Sequence, residues 1–96
     1  MSNYIEAING KLVIELRYHN FNRVVEPHAY GISSKGHRIL RCYQISGGSQ
    51  SNEPQGWKLL TESEIVSAHL TGQSFVSPRA GYKRGDAAMT TILAQL

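Results

Sequence analysis

Ninety-six residues, 41% hydrophobic and 18% charged, fit one globular domain with a single core and leave no room for a separate DNA-reading module. Ten Lys/Arg against seven Asp/Glu give a formal charge of +3, too mild to name a partner. No apolar run approaches the roughly 20 residues of a membrane helix, the N-terminus lacks the charged-then-apolar plan of a signal peptide, and the single Cys42 can form neither an internal disulfide nor a Cys-rich metal site, so the expectation is a cytoplasmic protein.

In chain order, Ser2 can cap a helix within residues 2–9, where Tyr4, Ile5 and Ile8 fall at helical spacing and Gly10 supplies the stop. Residues 11–18 alternate, with Leu12, Ile14, Leu16 and Tyr18 on one face, broken only by Val13, and predict a half-buried strand. His19-Asn20-Phe21-Asn22 is turn chemistry, because Asn tolerates left-handed backbone angles, so the extended residues Arg23-Val24-Val25-Glu26 complete a hairpin. Pro27 marks a strand end, an edge or a bulge, after which 29–32 can continue.

Residues 37–45 carry apolar side chains on both faces and predict a central strand, with Arg38 and Arg41 pointing to opposite sides. Residues 46–56 hold three glycines, three serines and a proline and predict a flexible loop. Trp57-Lys58-Leu59-Leu60 and residues 65–70 give two further strands, separated by a capping-type turn at Thr61-Glu62-Ser63-Glu64. In this phase Leu12, Ile14, Leu16, Ile39, Trp57, Leu59 and Ile65 form the buried face. The closing residues 87–96 are ambiguous, since Ala and Met favour helix while Thr90-Thr91-Ile92 favours strand.

A short helix followed by curled antiparallel strands resembles the WYL domain, a small Sm-like β-barrel of bacterial transcriptional regulators. The resemblance runs from Ile5 to Phe75. It is carried by Ala7-Ile8-Asn9-Gly10-Lys11, Ile14-Glu15-Leu16-Arg17-Tyr18, Arg23-Val24-Val25-Glu26-Pro27-His28 and Gly36-His37-Arg38-Ile39-Leu40, then by Trp57-Lys58-Leu59-Leu60 with Glu64-Ile65. The family's Trp-Tyr-Leu tripeptide is represented by Arg38-Ile39-Leu40, where only the leucine survives, and Glu64 replaces the usual basic residue. The tail Phe75-Val76-Ser77-Pro78-Arg79-Ala80-Gly81-Tyr82 with Gly85-Asp86 is similar to that of short free-standing WYL-like proteins. The resemblance implies a mainly β fold, a five-stranded Sm-like barrel with an N-terminal helix and a C-terminal extension over 76–96. It also implies a sensor or regulator that binds nucleotides or nucleic-acid fragments through basic and aromatic surface residues.

The residues offer their own reasons for a binder. Arg79, Tyr82, Lys83 and Arg84 combine cations for phosphate with a ring face for stacking. Strand arginines Arg23, Arg38 and Arg41 present planar donors that suit bidentate phosphate contacts, although each could instead pair with Glu15 or Glu26. Tyr43 can line the same groove or join the core, while Trp57 reads as core. The candidate ligand set is therefore Arg23, Arg38, Arg41, Tyr43, Arg79, Tyr82, Lys83 and Arg84, with the loop arginines expected to contribute little to folding.

Catalysis finds little support. No Gly-x-Ser-x-Gly elbow is present, Asp86 is the sole aspartate, and His19, His28, His37 and His69 lack the paired spacing of zinc ligands. The expectation is a non-catalytic module with no metal or cofactor, whose partner is a nucleotide or single-stranded nucleic acid. The alternatives are a sponge that sequesters a signalling nucleotide, or a structural protein that forms a homo-oligomer through its edge strands.

Overall fold

A computed structural model describes residues 4–49 and 55–96. The cap assigned to Ser2 and the tip of the predicted loop, at 50–54, lie outside the described residues. Helix α1 (Tyr4–Asn9) is followed by β1 (Leu12–Tyr18) and β2 (Phe21–Ile32). Strands β3 (Arg38–Gly47) and β4 (Gly56–Thr61) come next. A single 3-10 turn at Glu62–Glu64 then leads into β5 (Ile65–Ser74), and β6 (Thr91–Gln95) closes the order.

The β1–β2 hairpin follows from its turn chemistry. Tyr18 pairs with Phe21, and His19 and Asn20 between them have φ of 49° and 70°, the left-handed pair that a two-residue type I′ turn requires. β2 then runs straight through Pro27, with a register shift against β3 between Pro27 and Ala29. On its other side β1 pairing ends at Val25 and β6 pairing begins at Ala29. Pro27, which has no N–H to give, sits at this junction. The bulge leaves His28 without a β3 partner and re-aims its side chain.

Among the described residues six antiparallel strands form one sheet in the order β4-β3-β2-β1-β5, with β6 on β2. The mainly β fold and the N-terminal helix stand as expected. The sheet is curled but not closed, and it carries six strands where five were expected, because the ambiguous tail supplies β6. The 3-10 turn forms at the predicted place, yet Thr61 makes no side-chain cap bond.

One face of the sheet packs under α1. Tyr4, Ala7 and Ile8 cover Ile14, Leu16, Tyr18, Val25, Tyr30, Leu40, Cys42 and Leu60. The opposite face carries a smaller cluster of Ala29, Ile39 and Met89, with Ala88 and Ile92 packed against it. Leu12 and Ile65 are partly buried against the main core. The expected phase of β4 is corrected: Leu59 is 41% exposed and its neighbour Leu60 is buried, because Leu60 pairs with Leu40 on the α1 side. Trp57, expected in the core, lies half-buried on the opposite face.

Candidate functional site

Three strands place Glu26, Tyr43 and Trp57 side by side on the face away from α1: Glu26 pairs with Tyr43, and Tyr43 with Trp57. The residues between β5 and β6 cross this face and are pinned to it at several points. Arg79 grips Glu26 with two donors, Nε to Oε1 at 2.8 Å and Nη2 to Oε2 at 3.1 Å, while its guanidinium lies 4.8 Å from the Tyr43 ring centroid. The Arg79 amide donates to His28 Nε2 at 3.0 Å, and Trp57 Nε1 donates to the Ala80 carbonyl at 3.2 Å. Further along, Asp86 accepts from Arg41 Nε at 2.7 Å and Nη2 at 3.3 Å.

Around these anchors an aromatic cluster assembles. His28 packs edge-on to Trp57 at 4.8 Å, stacks with Phe75 at 5.5 Å and touches Tyr82 at 5.2 Å. Trp57 and Tyr82 lie nearly parallel, 24° apart with centroids separated by 6.1 Å. Beside them opens a pocket of about 280 Å³ lined by Arg41, Trp57, Tyr82, Lys83, Asp86 and Ala87, with Gly81 at its wall. Gly81 has a φ of 89°, and a Cβ there would sit 3.3 Å from Trp57 Nε1, so glycine serves both the turn and the close approach to the indole.

The electrostatics sort the cations into two groups. Arg41 and Arg79 are neutralised by carboxylates whose side chains are only 9% and 7% exposed. Arg41 beside Asp86 holds that carboxyl below the ordinary carboxylate value, and the hydrogen bond to Glu26 raises Arg79 above the ordinary arginine value. Lys83 lines the pocket and engages no carboxylate among the described residues. Arg84 donates through Nε to the Leu96 backbone oxygen at 3.2 Å. Burial pushes the Tyr82 hydroxyl above its usual value; that hydroxyl donates to the Leu96 carbonyl at 3.2 Å.

His28 is fully buried, with Nδ1 2.8 Å from the Glu26 carbonyl. That contact requires Nδ1 to carry the proton, leaving the Nε2 lone pair for the Arg79 amide. Burial is the main reason its pKa lies below the ordinary histidine value.

Of the expected ligand residues, the fold brings Arg41, Tyr82 and Lys83 into one pocket, sets Tyr43 and Arg79 directly behind Trp57, and leaves Arg84 beside the Leu96 carbonyl. Arg38 and Arg23 lie elsewhere. Arg38 Nη1 is 3.4 Å from the Tyr30 hydroxyl, which itself donates to Glu62 at 2.6 Å. Arg23 is buried on β2. Neither strand arginine pairs with Glu15 or Glu26: Glu15 accepts from His69 and Glu26 from Arg79. Arg79, expected to contribute little to folding, provides the counter-charge of a buried carboxylate. Sequence reading missed Trp57 as a pocket wall and Asp86 as an anchor. The sole aspartate inside a basic loop was the available signal for the second. No residue pattern marked His28.

The chain matches no known protein family, no curated protein and no solved structure. Among the described residues no helix is long and apolar enough to cross a membrane.

Proposed function

We propose that this chain is a non-catalytic ligand-binding domain of WYL-like character, and that its ligand is a nucleotide or the end of a short nucleic-acid single strand. One observation carries the reading: the pocket joins the Trp57 and Tyr82 rings to Arg41 and to Lys83, which meets no carboxylate among the described residues. A flat base needs an aromatic face, and its phosphate needs a cation within reach. A volume of about 280 Å³ lies just below the usual range for small-molecule pockets, roughly 300–1,000 Å³. It suits one nucleotide unit better than a longer strand.

Binding without catalysis is favoured because the pocket's carboxylate and phenol are already committed. Asp86 is bonded to Arg41 and to the Ala88 amide at 2.9 Å, and the Tyr82 hydroxyl to a carbonyl. Neither is free to move a proton to or from a ligand. As sensor or as sponge, such a domain would act by holding its ligand.

A second reading rests on the sheet edge. β5 is an outer strand of ten residues on which Val66 is 76% exposed, and such an edge can pair with another copy. A thermal-shift screen against nucleotides and short oligonucleotides, run beside a measurement of solution mass, separates the two. A ligand at 100 times its Kd stabilises by about 2.7 kcal/mol, and Lys83→Ala should abolish the shift. A dimer whose melting ignores every nucleotide would favour the edge-strand reading.

A further inference from the structure

Arg23 is the odd arginine of this protein. It is only 4% exposed, yet no carboxylate meets it among the described residues. Its acceptors are neutral and distant for a charged donor: the Tyr18 carbonyl at 3.3 Å from Nε and Gln44 Oε1 at 3.4 Å from Nη1, where charge-assisted bonds run to roughly 2.7–2.9 Å. Nη2 makes no hydrogen bond among the described residues. The faces of Tyr18 and Phe21, 5.2 and 5.7 Å from the guanidinium carbon, supply only part of what water would give. A buried charge normally has a counter-charge, as the Glu26 and Asp86 carboxylates do here.

Arg23 lines a hollow of about 200 Å³ together with Lys58, Ser49, Tyr18, His19 and Leu60. Lys58 Nζ donates to the Ser49 hydroxyl at 3.1 Å, and His19 is held by Glu64. Arg23, Lys58 and the Ser49 hydroxyl thus share one recess, walled on its apolar side by Leu59 and Leu60. At about 200 Å³ it has room for a tetrahedral oxyanion. Lys58 and Trp57 are consecutive in β4, so their side chains point to opposite faces of the sheet, and this recess is separate from the aromatic pocket.

We propose that the Arg23–Lys58 recess is a binding site for a phosphate-class oxyanion, which supplies the counter-charge that Arg23 lacks among the described residues. The guanidinium fork offers Nη2 and the weakly bonded Nη1 to two oxygens, while Lys58 and Ser49 take a third. This site does not depend on the aromatic pocket binding anything.

The test follows the Arg23 Nε–Hε signal in proton–nitrogen correlation spectra of the full chain, during titration with inorganic phosphate at ionic strength held constant with sodium chloride. The expected result is a saturable shift of that signal and of the Lys58 and Ser49 amides. Lys58→Met should weaken phosphate about ten-fold or more, the loss of one charge-assisted hydrogen bond, with thermal stability nearly unchanged; Lys58→Arg should retain binding. Phenyl phosphate separates the sources of the anion: if it binds equally, the group can arrive on an organic ligand, and if only inorganic phosphate binds, the free anion is the ligand. An Arg23 signal that stays still, or that moves identically in chloride, overturns the proposal. So do shifts confined to Tyr82 and Lys83, which would place the phosphate in the aromatic pocket instead.

Discussion

Glu26 and Asp86 each take one arginine out of the pool of available cations, and the two pairs differ in kind from the exposed Lys83 and Arg84 of the same segment. Removing Arg79 strands the Glu26 carboxylate, which is 7% exposed on its side chain while Arg79 is 45% exposed. Because one partner of the pair is in solvent, Arg79→Ala should cost about 1–2 kcal/mol, less than the loss expected for a fully buried pair. Arg84→Ala should stay within roughly 0.5 kcal/mol. Urea denaturation of the two variants checks the difference, and equal stabilities would show that the Glu26 clamp is dispensable.

His28 makes a second residue-scale prediction. The groups facing it are the Glu26 carbonyl and carboxylate, the Arg79 amide and guanidinium, and the rings of Trp57, Phe75 and Tyr82. Its folded pKa lies below the ordinary histidine value of 6.5, so below pH 6.5 the unfolded chain binds a proton that the folded chain resists. The stability due to neutral His28 is complete above pH 6.5 and is lost progressively as pH falls toward the folded pKa. Protonation would also turn Nε2 into a donor facing the Arg79 N–H. Denaturation at neutral pH and in mild acid should therefore show a steeper acid loss for the wild type than for His28→Gln. Parallel pH profiles would contradict it.

At the scale of elements, strands β1 to β3 were legible because alternation and turn chemistry agree there: the left-handed His19–Asn20 pair and the apolar faces of 11–18 and 37–45 need no tertiary information. β6 was not legible, since Ala94 and Met89 pull toward helix while Thr91 and Ile92 pull toward strand, and only docking on β2 decides between them. The same lack of long-range information hid the chemistry of the basic loop. Its aromatic and cationic character is plain in the sequence, but the carboxylate facing Arg79 lies 53 positions away and Asp86 lies 45 from Arg41. Trp57 was misplaced for a related reason, because Trp57-Lys58-Leu59-Leu60 puts one leucine on each face and is too short to fix its own phase.

The docking of β6 has its own test at Gly31. A Cβ there would come 2.2 Å from the Thr91 carbonyl and 2.9 Å from the Met89 sulfur, and backbone cannot yield as a flexible side chain can. Gly31→Ala should destabilise the fold by about 1–3 kcal/mol and speed amide exchange in β6 more than in β1. Uniform protection across both strands would mean that β6 adapts.

For the whole molecule, the sheet divides its labour between two faces. One packs under α1 and forms the main core; the other carries Tyr43, Trp57 and the pinned basic segment that together frame the pocket. The claim that this pocket binds a nucleotide has a reporter built in, because Trp57 is the sole tryptophan of the chain and forms the pocket wall. Titrating nucleotides and short single-stranded oligonucleotides while recording Trp57 emission should give saturable quenching. The apparent affinity should fall as salt is raised, and Lys83→Ala should remove it. Emission that no nucleotide or oligonucleotide changes, or quenching that is insensitive to both salt and Lys83, would contradict the account.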